Sequence, residues 1–159
     1  MKKIDLGQTI QIVANIGVIA GIVFLGVEVN QSNRIAAYTA ENTRRNLYAE
    51  LNSNFLVSPE LAALGAKLTD PNAELSKEEE IQAGFLLRRF FNSWANSEEA
   101  YRNGLLSNFS WQSTLGDIDA TFAEFPGLAK AYRRGQTFRS AGDLEVFQRI
   151  SENVERISE

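Results

Sequence analysis

The sequence predicts an all-α protein in which an N-terminal transmembrane helix continues into a stalk and is followed by a small helical bundle. Three observations carry that prediction. Ile10 to Val29 is almost wholly apolar, the remainder shows helical spacing bounded by capping signals, and no stretch alternates with period two. The resulting division is 1–30 as membrane anchor helix, 31–57 as helical stalk and 58–159 as helical domain.

At ~1.5 Å per residue, a segment of about twenty residues crosses ~30 Å, the thickness of a bilayer's hydrocarbon layer. Within it only Gln11, Asn15 and Glu28 are strongly polar, and Glu28 lies at the end, where its carboxylate reaches headgroup depth. The rival readings are a cleaved signal peptide and the core helix of a soluble protein. Against the first, Val27-Glu28-Val29-Asn30-Gln31 offers no small-x-small cleavage site. Around the helix, Ala14, Gly17, Gly21 and Glu28 share one side, with Gln8, Gln11 and Asn15 along its edge. Ile12, Ile16, Ile19, Val23 and Val27 form an aliphatic stripe opposite. Gly17-x-x-x-Gly21 is the spacing that lets two membrane helices approach closely, and a neighbouring Asn or Gln can hydrogen-bond across such a contact. The expected helix–helix interface is therefore Gln11, Asn15, Gly17, Gly21 and Glu28, extended along the stalk by Tyr38 and Arg45. Lys2 and Lys3 before the span and Arg34, Arg44 and Arg45 after it leave the topology balanced.

No Gly or Pro interrupts Asn30 to Leu56, which predicts a continuous stalk carrying a Glu41–Arg45 pair at i,i+4. Ser58-Pro59 caps and starts a short helix to about Leu68, and Thr69 to Asn72 forms a turn. Ser76-Lys77-Glu78-Glu79 is a capping box opening a helix that should reach Asn103-Gly104, with Leu87, Phe90, Phe91, Trp94 and Tyr101 on its buried face. Ser110 is the expected cap of the next helix, which places Trp111, Leu115, Ile118 and Phe122 inward and breaks at Phe125-Pro126-Gly127. A short helix ends near Gly135. Asp143 is expected to start the last one, with Leu144, Phe147, Ile150, Val154 and Ile157 on one side.

The 159 residues contain no Cys and no His, at a net charge of −4. Disulfides, thiol nucleophiles, Cys- or His-ligated metals and Ser–His–Asp triads are excluded, and an acidic chain gives no electrostatic case for nucleic acid. No catalytic residue, cofactor or metal is expected, so the chain reads as a non-enzyme. Phe85, Phe90, Phe91, Trp94, Tyr101, Phe109 and Trp111 make an aromatic middle that can be core or can line a pocket. If a pocket, its residues are Trp94, Glu98, Tyr101 and Trp111. Glu98 projects toward the apolar face, where a carboxylate must be paired. Arg88, Arg89, Arg44 and Arg45 are the expected partners. Arg133, Arg134 and Arg139 form a small basic group suited to solvent or to lipid headgroups.

Phe24-Leu25-Gly26-Val27-Glu28-Val29-Asn30-Gln31, followed by Arg34, resembles the helix end of an uncharacterised family of small bacterial proteins with one N-terminal membrane helix and a helical domain. So does the series Phe85, Arg88, Glu98, Tyr101, Gly104, Leu105, Leu106 and Trp111, and so does Phe125-Pro126-Gly127 with Tyr132-Arg133. Ser32 interrupts a Gln-Asn pair of that pattern, and Glu99 stands where the family has Asn. The resemblance implies the architecture, the bacterial inner membrane and a lean of the helical domain toward the cytoplasm, and it implies no mechanism. The expected function is a membrane-anchored interaction or scaffold protein that self-associates or joins another membrane protein as an accessory subunit. The alternative is a membrane-proximal module holding a small apolar or lipid-like ligand.

Overall fold

The computed structural model describes residues 6–135 and 143–157, and these form six helices with no strand among them. Lys2, Lys3, Arg139 and the side chain of Gln8 lie outside the described set. The first helix, α1 (Leu6–Val57), runs unbroken through the apolar segment and the stalk. The chain nevertheless divides into two compact units between Tyr38 and Thr39. The first unit is the apolar part of α1. The second begins with the end of α1 and contains everything after it.

In the second unit the capping chemistry follows the sequence closely. Ser58 accepts from the Leu61 amide and Pro59 opens α2 (Pro59–Leu68). Ser76 and Glu79 close a reciprocal capping box at the start of α3 (Lys77–Arg102). That helix stops where Gly104 takes a φ of 70°, a left-handed conformation that costs a residue without Cβ nothing. Helix α4 (Asn108–Glu124) departs from expectation, because its cap is Ser107 and not Ser110. The Ser107 hydroxyl accepts from the Ser110 amide and its carbonyl receives the Trp111 amide. The start three residues earlier puts Ser110 inside the first turn, where it is buried. Helix α5 (Leu128–Arg134) ends at Gly135 as its sequence implies. Helix α6 (Glu145–Arg156) starts after Leu144 rather than at Asp143, and Leu144 has no side chain that can cap it.

The core lies where α3, α4 and α6 meet. Leu87 and Trp94 of α3, Ile118 and Phe122 of α4 and Val146 and Ile150 of α6 are almost entirely buried, with Leu64 and Leu68 of α2 and Leu128 of α5 closing the cluster. Phe85 and Phe109, grouped by sequence with the aromatic middle, stand outside it. They are 61% and 85% exposed. Both occupy helix faces directed away from the core, which spacing within one helix cannot reveal.

The Phe125-Pro126-Gly127 break is also a packing contact. The Gly127 amide donates to the Leu68 carbonyl at 2.9 Å, and a Cβ at Gly127 would lie 3.0 Å from that oxygen and 3.1 Å from the Leu68 Cα. Relief requires backbone to move. Gly127→Ala is therefore expected to destabilise the folded chain by about 1–3 kcal/mol, read as a lower urea midpoint in detergent, whereas Gly116→Ala, exposed within α4 with nothing within 4 Å, should stabilise it by about 0.5–1 kcal/mol.

Candidate functional site: an exposed apolar helix and a buried carboxylate

The first unit has no core of its own. From Ile10 to Val29 every large apolar side chain is more than half exposed, including Ile16, Ile19, Val23 and Phe24. The most apolar window in the helix has a mean hydropathy of 2.3, none of it buried. One helix is thus long and apolar enough to cross a membrane. Gln11 and Asn15 hydrogen-bond to each other at 3.2 Å, one turn apart. Gly17 and Gly21 face open space, with nothing within 4 Å of where a Cβ would stand. Glu28 is exposed and Tyr38 is 70% exposed. Of the expected interface residues, only Arg45 belongs to the second unit, where it bonds to Glu41 at 3.0 Å.

The second group of predicted residues is brought together, and its members are absorbed by the fold. Trp94 is fully buried, stacks on Phe90 with centroids 5.5 Å apart, and donates its indole N–H to Asp117 at 2.7 Å. Tyr101 stacks on buried Trp111 at 5.4 Å. Glu98 is 1% exposed, and its partners differ from those expected. Its two carboxylate oxygens accept the Glu145 and Val146 amides at 3.0 and 2.9 Å, so a side chain of α3 caps the N-terminus of α6. Arg102, one turn along α3, pairs with the same carboxylate at 2.5 Å and also donates to the Asp143 carbonyl. Arg89 instead meets Glu50, Arg44 and Arg45 meet Glu41, and Arg88 lies over the Phe85 ring. The Glu98–Arg102 spacing was present in the sequence. The acceptor for Trp94 was not marked by any local signal.

A second carboxylate, Glu41, sits at the edge of this unit. Arg44 hydrogen-bonds to it and holds its pKa at about 2 against a usual 4.5; partial burial opposes this, and Arg45 and Ser110 add to the lowering. Asp119 is also lowered. Burial pushes it up, but the Arg149 fork and the Asn153 amide outweigh that. The Tyr48 hydroxyl is buried, and burial together with the nearby Asp117 pushes its pKa up. Among the described residues no group of three or more carboxylates converges to hold a metal ion.

No protein-family model matches the chain, and neither a curated protein nor a solved structure shows significant similarity to it.

Replacing Glu98 by Ala leaves two helix amides and Arg102 without their acceptor. A loss of about 3 kcal/mol is expected from thermal or urea unfolding of the full chain in detergent, with Glu98→Gln recovering only part of it. Wild-type stability above that of Glu98→Ala by less than 1 kcal/mol would remove the capping role. For Glu41 the folded pKa lies below the unfolded value, so its stabilisation is present above pH 4.5 and is lost as pH falls toward 2. Glu41→Gln should flatten the acid limb of the stability profile in that window, measured by unfolding at stepped pH.

Proposed function

We propose that the protein is a single-pass membrane protein of the bacterial inner membrane whose anchor helix self-associates or pairs with another membrane protein. The observation that carries this reading is the complete exposure of the apolar part of α1. Each large apolar side chain left in water instead of an apolar medium costs about 1.5–3 kcal/mol, and a dozen stand exposed there, Phe24 among them. A bilayer removes that cost, and the helix satisfies its own backbone hydrogen bonds within it.

The Gly17–Gly21 face supports an association role. Both positions are open, so a second helix can approach its backbone there. Gln11 and Asn15 form a polar edge further round the helix, and their side-chain amides have donors and acceptors beyond the one bond they share. Lys2 and Lys3 before the span balance Arg34, Arg44 and Arg45 after it, so the lean of the helical domain toward the cytoplasm comes from the family resemblance alone. The absence of His and Cys and the consumption of Glu98 by α6 favour an interaction protein over an enzyme.

Two measurements test the proposal. The full chain is expected to stay in the pellet after alkaline carbonate extraction, and recovery in the supernatant would refute the anchor. In detergent, light scattering should show an oligomer that Gly17→Leu weakens about 10-fold. An oligomer indifferent to Gly17→Leu, with no co-purifying membrane protein, would exclude pairing through this face.

A further inference from the structure

A cleft of about 440 Å³ opens in the second unit where α3, α5 and the turn before α3 meet. Leu75, Ala83, Gly84 and Ala131 supply its apolar surface, Glu74, Glu80, Lys130 and Arg134 its charges, and Ala73 and Gly135 complete the lining. Small residues where α3 meets α5 leave the hollow: a Cβ added to Gly84 would meet nothing within 4 Å. Protein interiors are otherwise packed as densely as organic crystals, and an unfilled space forfeits dispersion contacts. A smaller hollow of about 170 Å³ shares Glu80, Gly84 and Ala131 with the cleft. It continues to exposed Ile81 and Phe85 and to Arg88, whose guanidinium lies over the Phe85 ring.

The four charges of the cleft are unequally engaged. Arg134 of α5 pairs with Glu80 of α3, so those two cancel. Lys130 is half-buried and donates to the Ala73 carbonyl at 3.1 Å, which leaves two of its three N–H groups unspent. Among the described residues neither Lys130 nor Glu74 has an ion-pair partner. Glu74 directly follows Ala73, the residue that holds the Lys130 ammonium. One unbalanced cation and one unbalanced anion therefore belong to the same stretch of the cleft wall.

We propose that this cleft binds a free α-amino acid with an apolar side chain, its carboxylate on Lys130, its ammonium on Glu74 and its side chain against Leu75, Ala83 and Ala131. The ligand class follows from the charges. A zwitterion brings one anion and one cation, and the occupied cleft is neutral. A monocarboxylate would balance Lys130 but set a second negative charge beside Glu74. A metal ion would meet Lys130 and Arg134 with only one uncommitted carboxylate to hold it. Both charged groups of an amino acid make charge-assisted hydrogen bonds here, the stronger kind. An apolar surface with a few polar groups at its edge is the usual form of a small-molecule site. The hollow toward Ile81 and Phe85 leaves room for a branched side chain. The site lies wholly within the second unit and does not depend on the membrane reading.

The test is equilibrium dialysis of labelled L-leucine against the full chain in detergent, with two competitors that each lack one charge. Wild type should bind leucine, and 4-methylpentanoate and 3-methylbutylamine should each compete about 10-fold more weakly than unlabelled leucine. Glu74→Gln, an exposed change, should weaken leucine about 10-fold and bring it level with 4-methylpentanoate. Lys130→Gln should weaken leucine and leave 3-methylbutylamine unchanged. Gly84→Leu fills the hollow and improves helix propensity, so it should abolish leucine binding without lowering the urea midpoint. Absence of leucine binding in wild type overturns the site. So does leucine binding that Gly84→Leu leaves intact. Competition by 4-methylpentanoate equal to that of leucine in wild type overturns the amino-acid assignment and marks a monocarboxylate site.

Discussion

Helix α6 begins without a cap of its own, because Leu144 cannot accept a hydrogen bond through its side chain. Its first amides reach the carboxylate of Glu98 instead, 47 residues earlier in the chain. A carboxylate at a helix N-terminus is favoured both by the open N–H groups and by the positive end of the macrodipole. The arrangement also solves the opposite problem. Glu98 is as buried as the core aliphatics around it, and an unpaired charge there would be costly. Two amides and Arg102 satisfy it. The pairing fixes the rotation of α6 about its axis, so that Val146 and Ile150 enter the same core as Trp94, Ile118 and Phe122. Small secondary pairs around it, Arg149 with Asp119 and Tyr132 with Ser151, then fall into place on the rim.

This accounting bears directly on chemistry. Glu98 is the one carboxylate that the apolar pattern of α3 directs inward, and so the natural candidate for acid–base work in a chain without His. Both of its oxygens are committed to main-chain donors, which is the signature of a structural carboxylate. Trp94, Tyr101 and Trp111 are likewise committed, to stacking partners and to Asp117.

The apolar half of α1 obeys a different constraint. In the bundle Ile118, Val146, Ile150 and Val154 are buried by other helices, whereas here isoleucines and valines surround the helix on all sides and none is covered. A helix apolar all round is stable only in an apolar surrounding. The polar groups that interrupt it are few, and they are either bonded within the helix, as Gln11 is to Asn15, or placed at its end.

The helices, their order and most of their boundaries were legible from residue spacing and caps. Ser58-Pro59, the Ser76–Glu79 box and Gly104 are local devices, each completed within four residues, so the sequence alone contains all their parts. The length and apolarity of the first helix are likewise properties of a contiguous segment. Tertiary structure decided the rest. Ser107 and Ser110 are both capable caps, and the choice between them depends on how Trp111 is seated against neighbouring helices. Phe85 and Phe109 share composition with Phe90 and Trp111 but lie on faces that no other helix covers. The start of α6 at Glu145 depends on a carboxylate from α3, and no pattern within residues 143–157 encodes that. Local hydrogen bonds close over one turn and can be read along the chain; contacts between helices depend on axial rotation and register, which are set only when the apolar faces pack together.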